Sequence, residues 1–130
     1  MGLKSRAVIL LSKYRALMPY IVAQAKHETN NFTSNVYLKD HNMFGMKWIN
    51  GARGQIATKG LKSPDGPDDY YAHFESDSAG VIDLLKLFEA KKFPVSVEDG
   101  NEFASELKKR GYFGAPLEAY QNRINYWLKA

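Results

Sequence analysis

The sequence predicts a mainly α fold (α+β) with one small β-hairpin, and three observations carry that reading. Apolar residues recur at helical spacing over most of the chain. Two short extended stretches flank a segment dense in turn formers. No internal repeat, low-complexity tract or linker divides the sequence, and 130 residues suffice to bury one apolar core, so residues 1–130 are expected to form a single domain.

The first helix is expected over residues 4–17, with Ala7, Val8, Leu11 and Tyr14 on its apolar side. Pro19 ends that run and opens a second helix, residues 19–29, because proline suits a first helical turn. Residues 30–50 are richer in polar side chains and glycine. Within them Asn42-Met43-Phe44-Gly45-Met46-Lys47-Trp48 is expected as an irregular but packed loop, held by its large apolar side chains. Residues 55–61 and 70–74 are the extended stretches of the hairpin, joined across Lys62-Ser63-Pro64-Asp65-Gly66-Pro67.

After Ser76 or Asp77 as N-cap, Val81, Leu84, Leu85 and Phe88 mark a helix running to about Lys91. Residues 101–110 form another, with Phe103, Ala104 and Leu107 inward and Gly111 closing it. The last helix starts near Pro116 and is expected to place Tyr120, Ile124, Trp127 and Leu128 against the core.

Composition narrows the function classes only partly. Eighteen Lys and Arg against fourteen Asp and Glu give a charge of +4, a mild field that suits polyanionic surfaces such as bacterial walls. Lys91-Lys92 and Lys108-Lys109-Arg110 are the basic clusters, and both fall at expected helix ends, which weighs against nucleic acid as a partner. The absence of cysteine excludes disulfides, thiolate metal sites and Cys nucleophiles. The apolar run at residues 7–11 is too short to span a bilayer and no cleavage site follows it, so neither a membrane span nor a signal peptide is read. A monomer without cofactor is expected.

One residue departs from the core pattern. Glu28 follows Ile21 and Ala25 at i+7 and i+3 on the inward stripe of the second helix, close to the negative end of the helix dipole. Apolar surroundings there would favour a protonated carboxyl, the property a general acid needs to protonate a glycosidic oxygen. Taken alone, a single Glu on a stripe signals no more than a surface carboxylate at a frayed helix end. Other chemistries fit less well. His27-Glu28 does not open a zinc-protease motif, since position 31 is Asn31, and His41 and His73 have no carboxylate at ligand spacing, so no metal site is expected. Asn31-Phe32-Thr33 matches a glycosylation sequon that chance also produces, and no serine sits in a nucleophile elbow.

Ala23-Gln24-Ala25-Lys26-His27-Glu28-Thr29 and His41-Asn42-Met43-Phe44-Gly45-Met46-Lys47 together resemble the glucosaminidase family of glycoside hydrolases, mannosyl-glycoprotein endo-β-N-acetylglucosaminidase-like, in the lysozyme-like superfamily. In that family a helix ending in A-Q-A-x-x-E-S/T-G/N carries the catalytic acid, and an N-N-L-F-G-I-K loop follows about a dozen residues later. His41 replaces the first Asn of that loop, while Asn42, Phe44, Gly45 and Lys47 keep its pattern, Phe44 as an anchor and Gly45 for close backbone approach. Phe74, Ser76 and Asp83 resemble the segment and helix that come next, with Ala72 where the family has Arg. Gly111-Tyr112 followed by Tyr120 resembles G-Y-A-T-D-P-x-Y, although Phe113, Gly114 and Ala115 replace A-T-D.

The resemblance implies a lysozyme-like helical domain with a β-hairpin beside the cleft, and cleavage of β-1,4 bonds next to N-acetylglucosamine in the glycan strands of peptidoglycan. It implies Glu28 as acid, Tyr112 as the tyrosine that stabilises charge or orients the sugar, and substrate contacts from Asn42, Phe44, Gly45, Lys47, Trp48, Tyr71 and Tyr120. The family's hairpin Glu has no counterpart in Thr58-Lys59-Gly60, so Asp69 is the expected substitute for positioning water, with Asp68 and Glu75 nearby. Two other readings stay open: a lytic transglycosylase or muramidase on the same fold, and a non-catalytic glycan-binding module using Phe44, Trp48, Tyr70, Tyr71 and Tyr112 for sugar stacking. Action on the bacterial wall without a signal peptide would require delivery by a phage lysis or virion apparatus, by a fused domain, or by cell lysis.

Overall fold

Short polar side chains set three of the helix starts. Ser34 Oγ accepts from Tyr37 N at 3.2 Å, Ser76 Oγ from Ala79 N at 3.1 Å, and Asp99 Oδ1 from Glu102 N at 2.9 Å. Each satisfies an amide that the helix cannot. In the computed structural model, which describes residues 3–130, the order is α1 (Leu3–Lys13), a 3₁₀ turn (Arg15–Leu17), α2 (Met18–Glu28), α3 (Asn35–Asp40), a second 3₁₀ turn (Ala52–Gly54), β1 (Thr58–Lys62), β2 (Tyr70–His73), α4 (Asp77–Ala90), α5 (Gly100–Lys109) and α6 (Leu117–Lys129). The fold is mainly α with one antiparallel two-stranded sheet. Residues 1 and 2 of the expected unit lie outside the described residues.

The core joins Leu10, Tyr14 and Leu17 to Ile21 of α2, Leu84, Leu85 and Phe88 of α4, Phe103 and Leu107 of α5, and Ile124 of α6. Phe88 stacks on Phe93 at 4.1 Å, and α6 packs on both α2 and α5 while α1 packs on α4. Among the described residues no helix is long and apolar enough to cross a membrane.

Three expectations about local structure are corrected. The first helix stops at Lys13; Leu10 within it and Tyr14 just past its end are buried, whereas Val8 is 59% and Leu11 40% exposed. Residues 7–11 are continuously apolar, so the period selects no face; contact with α4, including Tyr14 edge-on to Phe88 at 6.0 Å, selects it instead. Residues 30–50, read without a helix, contain α3, too short for periodicity to reveal, while residues 42–48 within them form the packed loop expected. At the C-terminus Leu128 is exposed, because α6 extends past the elements that cover Tyr120 and Ile124.

The loop after α3 behaves as an extra partner of the sheet. Ala72 N donates to Met46 O at 2.9 Å, Trp48 N donates to Tyr70 O at 2.8 Å, and Lys47 bridges Tyr71, so β2 has β1 on one side and residues 46–48 on the other. The β1–β2 register, Thr58 opposite His73 and Lys62 opposite Tyr70, slips between Lys59 and Lys62. Buried Asp40 occupies the slip: Oδ2 accepts from Leu61 N and Oδ1 pairs with His73 Nδ1, both at 2.9 Å. A Cβ at Gly60 would lie 2.6 Å from Asp40 Oδ2, so close approach requires glycine there.

Candidate active site

Glu28 is the last residue of α2, and the turn after it fixes where its carboxylate stands. Buried Thr29 donates through Oγ1 to Ala25 O and accepts from Phe32 N, each at 2.7 Å. Asn30, Asn31 and Phe32 then pass through left-handed backbone with φ of 50°, 58° and 64°. Asparagine tolerates that conformation better than most residues. The Glu-Thr-Asn run is thus a helix stop in which the hydroxyl closes the last turn and the asparagines redirect the chain.

Glu28 is exposed, which corrects the expectation of a desolvated carboxylate. Helical period does carry the stripe of Ile21, Gln24 and Ala25 to position 28, but α2 ends there and the core does not reach over its last turn. What reaches it is Tyr120 of α6, whose hydroxyl donates to Glu28 Oε1 at 2.9 Å. Tyr120 is 4% exposed; burial first, then the Glu28 charge, pushes its phenol well above the usual range, so it stays a donor at any working pH. The Tyr120 ring stacks on Phe113 at 3.8 Å and meets His27 edge-on at 5.0 Å. Lys108 holds the segment beneath, with Nζ 5.1 Å from the Phe113 ring centre and donating to Ala115 O at 2.8 Å.

A cleft of about 270 Å³ lies beside this cluster in sequence terms, lined by Phe44, Gly45, Lys47, Arg53, Lys91 and Tyr112. It unites the Asn42–Lys47 motif with Gly111-Tyr112, segments that no local interaction would bring together. Cavities of about 430 and 350 Å³ open elsewhere, but neither is lined by these motifs. Tyr112 and Phe113 are chain neighbours, and they link the two halves of the site: Tyr112 lines the cleft, Phe113 supports the partner of Glu28. The Tyr112 ring packs edge-on to Phe88 at 5.7 Å with Lys91 Nζ at 5.2 Å, and its hydroxyl is buried without a protein partner, so burial pushes that phenol up. It is the Tyr112 ring, not its hydroxyl, that the cleft presents.

The loop residues divide by task. Asn42, 2% exposed, donates to Met46 O and Ala72 O, both at 2.8 Å, and accepts from Met46 N at 3.0 Å. Both of its N–H donors and one of its two acceptor sites go to the backbone, so it shapes the loop from within. Gly45 has φ of 65° with nothing within 4 Å of a built Cβ; backbone conformation, rather than the close approach expected, calls for glycine. Lys47 Nζ donates to Ser63 Oγ at 2.8 Å and to Asp69 Oδ2 at 2.7 Å, and also to Asp65 Oδ2. Partial burial alone would lower the Lys47 amine, but the two carboxylates outweigh it and hold it above its usual value, while Lys47 keeps Asp65 below the usual carboxylate range.

Asp69 is therefore engaged with Lys47, and no described hydrogen bond joins it to Glu28. Trp48 and Tyr71 are half-buried beside the hairpin, with Lys59 Nζ 5.2 Å from the Trp48 ring and Lys47 Nζ 5.2 Å from the Tyr71 ring. Gln55 escaped the sequence reading as a bracing residue, and Asp83 entered it only through the family resemblance. Buried Gln55 accepts from Ile49 N at 2.8 Å and donates to Lys47 O at 2.9 Å and to Asp83 Oδ2 at 3.2 Å, tying the loop to α4. Desolvation raises the Asp83 carboxyl despite that bond, and a buried acid on an otherwise apolar helix face was the available signal. Among the described residues no group of three or more His, Cys, Asp or Glu could hold a metal ion.

The family model described as mannosyl-glycoprotein endo-beta-N-acetylglucosaminidase matches residues 4–130. No curated protein and no solved structure gave a match.

Proposed function

Because the chain belongs to the glucosaminidase family, which supports a glycoside-hydrolase function on cell-wall glycans, we propose that it hydrolyses β-1,4 bonds next to N-acetylglucosamine in peptidoglycan, with Glu28 as the general acid. The observation that carries the assignment is the Tyr120 hydrogen bond to Glu28 Oε1. It fixes one oxygen of an exposed carboxyl at a rigid helix end and leaves Oε2 out of that bond, at the head of a segment leading into the motif-lined cleft.

A glycosidic oxygen leaves poorly until it is protonated. Glu28 passes its proton to that oxygen and the C1–O bond breaks; water attacks the anomeric carbon directly, or the substrate's own acetamido oxygen does so first and water then opens the cyclic oxazolinium ion, and on either route the proton lost by the water restores Glu28. A sugar chain seated over the helix end displaces water from Glu28 and supplies the apolar cover that the protein itself lacks there. Phe44 and the Tyr112 ring offer flat surfaces for sugar rings, with Trp48 and Tyr71 on the hairpin side. Tyr120 acts as the positioning residue of Glu28, and Asn42 and Gly45 shape the loop that Lys47 ties to the hairpin. Asp69 acts through Lys47 by holding the hairpin lip. Work as a monomer is part of the same proposal.

Digests of purified peptidoglycan test the reading. The expected products carry reducing-end N-acetylglucosamine, and Glu28→Gln lowers their yield about a thousandfold. Anhydromuramic or muramic acid ends would instead identify a transglycosylase or muramidase, and binding without any cleavage by the unmodified chain would make it a glycan-binding module.

A further inference from the structure

The cavity of about 430 Å³ opens between α1, α4 and the Ala52–Gly54 turn, where Arg6, Arg53 and Lys86 face a single acid, Glu89. That acid is taken: Glu89 accepts from Arg6 Nη2 through one oxygen and from Lys13 Nζ through the other. Lys86 donates to Gly54 O at 2.7 Å, a contact with a neutral carbonyl that leaves its charge uncompensated. Asp83, which feels the charges of Arg53 and Lys86, is buried beneath and bonded to Gln55, so it offers no carboxylate to the surface. The described ion pairs draw on Arg6, Lys13, Lys47, Lys109, Arg110 and two histidines, and Arg53 takes part in none.

Arg53 also lines the cleft of about 270 Å³, so it stands where the two cavities adjoin. Its backbone is left-handed, φ 55° and ψ 19°, between Gly51 at φ 86° and Gly54 at φ 72°. That conformation is costly for a residue with a side chain and persists where the surroundings impose it. Here the turn is pinned by Lys86 on Gly54 O and by Gln55 on both Lys47 O and Ile49 N. A strained turn, an unpaired guanidinium and an excess of positive charge coincide at one mouth.

We propose that this mouth is an anion subsite continuous with the cleft, and that it takes a carboxylate of the peptide branches borne by the wall glycan. The inference rests on the function proposed above and extends it: the enzyme acts on peptide-bearing strands in preference to bare ones. A planar guanidinium suits a carboxylate through paired N–H donors, and Lys86 and Arg6 add charge from the sides.

Binding to the Glu28→Gln protein tests it. Three soluble glycan fragments are compared: one with peptide branches, one stripped of them, and one whose peptide carboxylates are amidated. The peptide-bearing fragment should bind about tenfold more tightly than the other two, with the advantage shrinking as salt is raised. Arg53→Gln should abolish the advantage and Arg53→Lys should restore part of it; Arg53→Gly, which suits the backbone of the turn, should also lose it while the protein stays folded. Equal affinity for the three fragments, or an advantage that survives Arg53→Gly, overturns the subsite while leaving the proposed function intact. If no fragment binds, that function fails, and titration of the free branch peptide against its amide then decides the subsite alone: preference for the carboxylate form, lost in Arg53→Gln, upholds it, and no preference overturns it.

Discussion

The hydroxyl of Tyr120 donates to Glu28 Oε1 at 2.9 Å across 92 residues of sequence, and the Tyr120 ring rests on Phe113 at 3.8 Å. The proposed acid thus owes its orientation to a tyrosine on the last helix and to a loop that also lines the cleft.

Replacing Glu28 by Gln keeps the side-chain length and its ability to accept from Tyr120, while removing the transferable proton. Since Thr29 closes the helix and Glu28 is exposed, the fold should be unaffected. Turnover of peptidoglycan should fall about a thousandfold, with an unchanged melting curve. Clearance at the normal rate would remove Glu28 from the mechanism.

Tyr120→Phe deletes the hydrogen bond and leaves the stack on Phe113. The buried ring site accepts phenylalanine without a cavity, so stability should change by no more than about 1 kcal/mol. The rate constant kcat should drop about tenfold with KM nearly unchanged, because orientation of the acid is lost and glycan contacts are not. A change confined to KM would show that Tyr120 binds substrate rather than positioning Glu28.

Asn42→Ala strands Met46 N inside the protein and removes the side-chain donors to Met46 O and Ala72 O, leaving Met46 O only its bond from Ala72 N. The expected cost is about 3 kcal/mol, read by denaturant unfolding. Activity should fall with the loop's order even at temperatures where the variant remains folded. Stability within 0.5 kcal/mol (about one hydrogen bond's lower range) of the unmodified chain would contradict the role assigned to Asn42.

Asp69→Asn weakens one of two carboxylate contacts to Lys47, with Asp65 and Ser63 left in place. Turnover should fall about fivefold, much less than for Glu28→Gln, since Asp65 and Ser63 still tie Lys47 to the hairpin and the acid is untouched. Asp68→Asn and Glu75→Gln, whose carboxylates are exposed, serve as comparisons. Equal rates in all three variants would exclude the hairpin acids from the reaction.

Asp83 predicts a pH dependence of stability. Desolvation raises its folded-state value, so between the ordinary carboxylate value and the raised one the folded state holds more proton than the unfolded state. Its contribution is most favourable below the ordinary value and is lost as pH rises through the raised one. Asp83→Asn retains an acceptor for Gln55 and removes the buried charge. Its Tm should exceed that of the unmodified chain by about 2–4 °C at pH 7 and converge on it in acid. A lower Tm at pH 7 would mean that attraction to Arg53 and Lys86 outweighs desolvation.

Much of the secondary structure was legible before folding was considered, because it rests on interactions within a few residues. Ser76 caps its helix through an amide three residues away, Pro19 and Pro116 mark starts, and turn formers at residues 62–67 join the strands. The Glu28-Thr29-Asn30 stop and the Asn42–Lys47 loop are local in the same sense: their key bonds span four residues or fewer. Family membership was readable for that reason, since those short motifs carry their own geometry.

Tertiary structure alone decided what each motif faces. The continuously apolar residues 7–11 suit several helix orientations, and packing on α4 selected the one that buries Leu10 and exposes Val8. Helical period placed Glu28 on the inward stripe, yet exposure depends on where other elements end, and none covers that turn beyond the tip of Tyr120. Lys47 and Asp69, read separately as substrate contact and water-positioning carboxylate, became partners because the hairpin folds its turn back onto the loop. The meeting of Arg53 with both cavities is of the same kind. Such contacts join residues far apart in sequence, and their energies exist only after loop closure has brought the elements together, so no pattern within a window of sequence contains them.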